Sequence, residues 1–546
     1  MTSGINPNRH GQEIPRGVAP GARPRRGWFQ MRIVSKKLLV TAVTVALALP
    51  VSFTFSQVAS AATPVKGGDL TILRGDLESS LTPSIPPDNA GIWVVEEIFD
   101  TLLVPAADAK SLKPSLATSW SASKDGLTWT FKLRSGVKFS DGTPMTSKDV
   151  KFSLQENSNP AGNWGFINSS ISKIGTPDPL TVTITTKTPY SPLPAVMAIF
   201  ANSIIPNNYG GKTKDEFGKH PIGTGPFKLA TWTKGQLIKI VRNPYYWEAG
   251  KPYLDSVTFK LVPDANTRAN QVQGGQAQIN EFPSFSSVKT LKNVPGVKVT
   301  AFDSSAVNFL IFNNTKAPLS DVHVRKALAS LVDKKAIITA VLFGNGTPAG
   351  AYMSPSSWSH NASIKGLPYD LTKAKAELAL STQPNGFSAT IMVSSGNADQ
   401  NTMAQILQSE AAKIGVTLQI SQLDPSAWTA ARDNKSYDIM FGYDTTDIID
   451  PDELIRFSGL IDGCGSSLWS YYDNQKSAKL ANDAVLIDNQ TKRKAIYDKI
   501  QVAFDNDQPM VPLYYAPNLY SYSTKVQAFH PFVTGNYNFR NVWLSK

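Results

Sequence analysis

The residues that most often perform chemistry are scattered in this chain. Beyond residue 61 the histidines stand at His220, His323, His360 and His530, far apart in sequence. No H-E-x-x-H, C-x-x-C, phosphate-binding loop or G-x-S-x-G occurs. The single cysteine lies in Gly463-Cys464-Gly465-Ser466-Ser467, whose spacing does not match a nucleophile turn. A lone Cys464 reads as a small buried residue. Gly223-Thr224-Gly225 lacks the third glycine of a dinucleotide loop, and His323, beside Asp321 and Arg325, fits a solvated helical face. No nucleophile, acid–base pair or metal-ligand set is assembled, so the chain reads as a binding protein with no cofactor. An exported hydrolase is the rival class, and it lacks a constellation to carry it. What does stand out is aromatic. Trp164, Trp358, Trp428, Trp469, Tyr471 and Tyr472 lie within two residues of Gly, Pro, Asn or Ser, where rings can enclose a ligand in a cleft. Packing beneath loops accounts for some of them.

The elements that must position such a cleft alternate between strand and helix. Asp69-Leu70-Thr71-Ile72-Leu73-Arg74, Thr128 to Leu133, Thr181 to Thr185, Leu237 to Val241 and Val257 to Val262 have the two-residue period of strands. Helical spacing covers 92–103, 146–155 with Ser147 as a cap, 321–343 as one long helix, 403–414 and 492–504. A strand follows at 416–420. No repeat of 20–50 residues is present, which argues for α/β layers rather than a solenoid. No low-complexity linker divides the chain, so one body built of lobes is expected.

The 546 residues are 41% hydrophobic and 10% aromatic, which excludes a disordered chain. One cysteine excludes a disulfide framework. The formal net charge is +12, but residues 1–61 carry eight Lys/Arg against Glu13 alone. The remainder is close to balanced, and no nucleic-acid partner is expected. Met31-Arg32-Ile33-Val34-Ser35-Lys36-Lys37, an apolar run from Leu38 to Leu49 and Ala59-Ser60-Ala61 have the layout of a secretory signal peptide. Cleavage near Ala61 is expected. Arg25-Arg26 is a weak match to a twin-arginine signal, and residues 1–30 show no periodicity. No cysteine near the cleavage site is available to carry a lipid.

Longer stretches carry a resemblance. They include Glu97-Ile98-Phe99-Asp100-Thr101-Leu102-Leu103, Lys113 to Trp120, Leu133-Arg134-Ser135-Gly136-Val137-Lys138-Phe139-Ser140-Asp141-Gly142-Thr143-Pro144, Ile222 to Phe227, Arg242 to Trp247, and Leu342 to Ala349. In this order they resemble the family 5 extracellular solute-binding proteins, the peptide/nickel-binding components of ABC importers. The resemblance implies an α/β, two-lobed periplasmic-binding-protein-like fold with a hinge. It implies a first lobe at 62–304, carrying an extra subdomain at about 106–204, and a second lobe at 305–510. A tail at 511–546 would return to the first lobe.

The resemblance also implies a ligand site. In Gly442-Tyr443-Asp444-Thr445-Thr446-Asp447-Ile448-Ile449-Asp450-Pro451, Asp447 stands four residues before Pro451. Peptide-binding members carry there an aspartate that pairs with the peptide's α-ammonium group. Tyr443 replaces the usual tryptophan, with one extra residue before Asp447. Thr446 neighbours it, and Asp450 or Asp452 is expected to cap the next helix. The opposite wall is expected at Asp88-Asn89-Ala90-Gly91, offering backbone to an extended ligand; Trp428 and Trp469 complete the expected ligand contacts. The implied function is capture of peptides, as a monomer outside the cytoplasm, for delivery to an ABC permease. Nickel or other metal chelates and oligosaccharides are the alternatives within the family, although few histidines are available for direct ligation.

Overall fold

A computed structural model of the chain describes residues 63–77, 80–85, 89–159, 164–463 and 465–546. The N-terminal extension, the signal segment, Asp88 and Cys464 lie outside the described residues. Three sheets organise residues 63–546. The first has seven strands, in the order Val297–Phe302, Asn518–Ser523, Ile279–Glu281, Asp69–Arg74, Ser256–Leu261, Leu237–Arg242, Phe227–Thr233. Its centre is parallel, Asp69–Arg74 pairing with Ser256–Leu261 and Ile279–Glu281. The alternating Val257 and Phe259 are fully buried there. The second sheet has six strands, ordered Thr347–Pro348, Met510–Tyr515, Val307–Phe312, Ile439–Asp444, Ser388–Ser394, Thr417–Leu423. The third is a four-stranded antiparallel sheet of Ala117–Ala122, Thr128–Leu133, Thr181–Thr186 and Ile171–Asp178. It lies within the segment expected to form the extra subdomain.

Each large sheet has its own apolar core. Leu70, Ile72, Val94, Phe99 and Phe259 belong to the first, and Phe312, Val324, Ile391 and Leu513 to the second. The chain passes between the two sheets at 303–306 and at 516–517. The second crossing corrects the expected return at 511. Met510, Val511 and Leu513 are buried in Met510–Tyr515, which pairs with Val307–Phe312, so the tail enters the first sheet only at Asn518.

Three expected elements also differ. The single helix over 321–343 is two, Val322–Ser330 and Lys334–Leu342. Asp333 interrupts it, its carboxylate accepting hydrogen bonds from the N–H groups of Lys335 and Ala336 at 3.0 and 2.9 Å. An aspartate that caps a new helix competes with continuation of the old one. Helix Ser147–Asn157 is capped by Thr146, not Ser147, in a capping box with Asp149. The helix expected at 92–103 is Asn89–Ile98, and Leu103–Pro105 is already a strand.

Candidate functional site

Strand Ile439–Asp444 of the second sheet ends in a loop that reaches the first lobe. Ile448 and Ile449 are buried in the first lobe's apolar cluster, which fixes the loop between the two bodies. The Thr446 N–H donates to Ser305 Oγ at 3.1 Å, beside the first interlobe crossing. Asp450 closes the loop as the N-cap of Pro451–Leu454, accepting from the Asp452 N–H at 3.0 Å. Both its carboxylate oxygens also accept from Arg493, at 2.6 Å each. Asp452 is held by Arg456 at 2.9 Å and by the Tyr190 hydroxyl at 3.1 Å. Both candidate capping acids therefore have partners.

Asp447 does not. Its carboxylate forms no hydrogen bond or ion pair among the described residues. Asp447 is half-buried, and this desolvation pushes its pKa up to about 6, because a carboxylate drawn partly out of water without a partner holds its proton more tightly. Three more carboxylates feel its charge. Asp444, which accepts from Ser458 Oγ, is raised to about 7 by burial and by the charge of Asp447. Glu96, on helix Asn89–Ile98 of the first lobe, is raised to about 8 by burial and again by Asp447. Asn536 Nδ2 donates to its carboxylate, at 2.8 Å to each oxygen. Glu453 is pushed well above the usual range, by burial first and then by Asp447 and Asp444. Its Oε2 is buried without a hydrogen-bond partner.

Two large exposed rings lie one on each lobe. Tyr443, 64% exposed at the end of its strand, feels the charges of Asp444, Asp447 and Asp76. Phe282, 42% exposed, packs edge-on against Trp93 at 5.7 Å. Tyr443 lies at the end of strand Ile439–Asp444, and Thr446 and Asp447 lie in the loop that follows it.

The other expected contacts have further engagements. Asn89, Ala90 and Gly91 open helix Asn89–Ile98, and the Asn89 and Ala90 carbonyls accept from Arg74 at 3.5 and 2.8 Å. Trp428 and Trp469 stand with Arg432, whose guanidinium lies 5.6 and 4.3 Å from their ring centroids. Both pack against the second lobe's apolar cluster that contains Leu454 and Ile455. Glu96, Glu453 and the burial of Asp444 were not anticipated. A signal for Glu96 existed, since Glu96-Glu97 interrupts the apolar run Ile92 to Phe99 with no base one helical turn onward. Among the described residues no group of His, Cys, Asp and Glu is arranged to hold a metal ion.

Residues 111–459 match the profile of the bacterial extracellular solute-binding proteins, family 5 (middle). The chain belongs to that family. It is 33% identical over 370 residues to the glutathione-binding protein GsiB of Shigella flexneri, covering 67% of this chain and 72% of that one. Among solved structures it is similar to the ABC transporter-associated periplasmic binding protein DppA of Helicobacter pylori in complex with the peptide STSA. That likeness has a TM-score of 0.76 and 28% identity, over 88% of this chain and 99% of that one. It is similar at the same TM-score and 29% identity to AgaA of A. tumefaciens in complex with agropinic acid, with the same two coverages. The family and the two large sheets agree on a two-lobed binding-protein fold. Family members are extracytoplasmic solute-binding proteins that serve ABC transporters.

Proposed function

We propose that this solute-binding protein captures peptides by their free amino terminus in the interlobe cleft and delivers them to an ABC permease. It works outside the cytoplasm after export on the 31–61 signal segment, as a monomer and without catalysing a reaction. The observation that carries the reading is the Asp447 carboxylate in the loop between the lobes, which has no hydrogen-bond or ion-pair partner among the described residues. A half-buried carboxylate without a partner favours a counter-charge, and an α-ammonium group supplies one together with three hydrogen-bond donors. The glutathione-binding and peptide-bound relatives support the ligand class. Binding energy needs only to favour the closed state, because the product of the cycle is a conformation that the permease recognises.

Calorimetry on wild type and Asp447→Asn, each with a free-amine peptide and its N-acetylated twin, tests this. The Asn variant should lose roughly 30-fold or more for the free-amine peptide, the range for breaking a buried charge pair. It should lose little further for the acetylated one, which binds wild type poorly. Equal affinity of both proteins for the free-amine peptide would leave Asp447 a loop acid.

A further inference from the structure

Beside the Asp447 loop, a cavity of about 390 Å³ lies between the four-stranded sheet and the second lobe. Its size falls within the roughly 300–1,000 Å³ of small-ligand sites. Ile449 and Asp450 of the loop line it, two and three residues along the chain from Asp447. Trp120 and Trp129 come from the four-stranded sheet and Ser191 from the chain after it, while Trp358 and Arg493 come from the second lobe. What these walls offer is donors. Trp129 is 6% and Arg493 5% exposed, yet Trp129 Nε1, Arg493 Nε and Ser191 Oγ are buried without a hydrogen-bond partner. Arg493 commits its other nitrogens to Asp450, at 2.6 Å twice, and to the Tyr497 hydroxyl at 2.7 Å. Its guanidinium lies 5.4 Å from the Trp358 ring centroid. Indole and guanidinium N–H groups can only donate, and buried without an acceptor they are costly. Helix Gln490–Asp507 begins in the same wall, at Asn489 and Gln490. The N–H groups of a first turn lack partners within the helix and carry partial positive charge. The charged side chains of the wall cancel, Arg493 against Asp450 and Lys110 against Asp488. The helix end therefore decides the sign, in favour of an acceptor that bears negative charge.

We infer that this cavity receives a carboxylate of the bound ligand, with Trp129, Ser191 and Arg493 as its donors. The inference rests on the amino-terminal capture proposed above and adds the ligand's far end. Three residues separate Asp447 from Asp450, a Cα span of at most about 11 Å, and Asp450 touches Arg493. An extended peptide advances about 3.3–3.6 Å per residue. An ammonium group at Asp447 and a carboxylate at Arg493 therefore suit peptides of about two to four residues. The carboxylate is that of the last residue or of an acidic side chain, and the indole faces offer an apolar wall to the stem that carries it.

The test is calorimetry with alanine peptides of two to five residues, free at the carboxyl terminus or as carboxamides, and with carboxamides in which one alanine is replaced by glutamate or glutamine. Wild type should bind the carboxylate about tenfold or more tightly than its amide counterpart. The free-acid pair shows the ratio if the terminus is held, the glutamate–glutamine pair if a side chain is. The ratio should fall several-fold in Trp129→Phe, which keeps a ring and removes the N–H, and in Ser191→Ala, while affinity for the amides stays near wild type. Either variant suffices if the other folds poorly. Ratios of one in wild type, ratios unchanged in both variants, or an equal loss for acid and amide overturn the carboxylate site. Loss of binding on N-acetylation of the same peptides would still support amino-terminal capture, so the two readings fail separately. If none of these peptides binds, the peptide reading falls and this inference with it.

Discussion

At the scale of single residues, Asp444, Asp447 and Glu96 are acids held above the ordinary carboxylate range. Ordinary carboxylates titrate near 4, whereas Asp447, Asp444 and Glu96 are raised to about 6, 7 and 8. The direction fixes two opposite pH dependences. Between about pH 4 and about pH 8 these groups bind more protons in the folded chain than in the unfolded one, so the empty protein loses stability as pH rises through that window. A cationic ligand needs the ionised forms, so its affinity rises through the same window and binding releases protons. The groups beside these acids do not reverse this. Asp452 and Asp450 are paired with Arg456 and Arg493, and Tyr443 is raised further from neutrality. Affinity for a free-amine peptide should therefore climb from about pH 5 to about pH 8, while the melting temperature of the empty protein declines. Calorimetry in buffers of different ionisation enthalpy should detect the released protons. A flat affinity across that range would mean that the acids are already ionised in the empty cleft.

At the scale of elements, the positions that sequence alone located were those with a local physical signature. Strands such as Ser256–Leu261 are visible because Val257, Phe259 and Leu261 alternate and Pro263 ends the run. Asp447 was singled out by its spacing to Pro451 in a family loop, with Tyr443 and Thr446 beside it, and its ligand role belongs to the function proposed above. Glu96 was not, because its neighbours in space come from the loop after residue 443 and from Asn536, some 350 to 440 positions away. The break at Asp333 was hidden for another reason: apolar periodicity runs through it, and only the cap chemistry divides the helix. The Gly223-Thr224-Gly225 turn joins both levels. A Cβ on Gly223 would lie 2.1 Å from the Ile98 carbonyl oxygen, and one on Gly225 2.6 Å from the Ile98 carbonyl carbon. The turn therefore presses against the end of the helix that carries Glu96, and the Gly225 N–H donates to Ile98 at 2.9 Å. Gly223→Ala should destabilise the protein by about 1–3 kcal/mol, as overpacking against backbone does. Thermal melting of the purified variant checks this. An unchanged midpoint would mean that the turn can move away from the helix at little cost.

At the scale of the whole molecule, two short crossings, at 303–306 and 516–517, join the large sheets and leave few backbone dihedrals to resist a hinge motion. Opposing that freedom are contacts from the 117–204 region to the second lobe. The Tyr190 hydroxyl donates to Asp452 at 3.1 Å, and the Ser191 N–H donates to the Val485 carbonyl at 2.8 Å. Asp452 begins the helical turn that follows the Asp447 loop, so this bridge and the ligand site share one element. Opening the cleft by moving the second lobe away would break the bridge, whereas closing the lobes on a ligand would keep it. The bridge therefore counts toward the closed state alone. Small-angle scattering of wild type should give a smaller radius of gyration with saturating peptide than without. Tyr190→Phe removes one hydrogen bond, worth roughly 0.5–1.5 kcal/mol, from the closed state. The variant should have a larger radius than wild type when empty, reach the same radius when saturated, and bind roughly two- to tenfold more weakly. Because Tyr190 touches Asp452 rather than the ligand, the loss should be similar for peptides of different sequence. Superimposable curves with and without peptide, in both proteins, would remove closure as the step that traps the ligand.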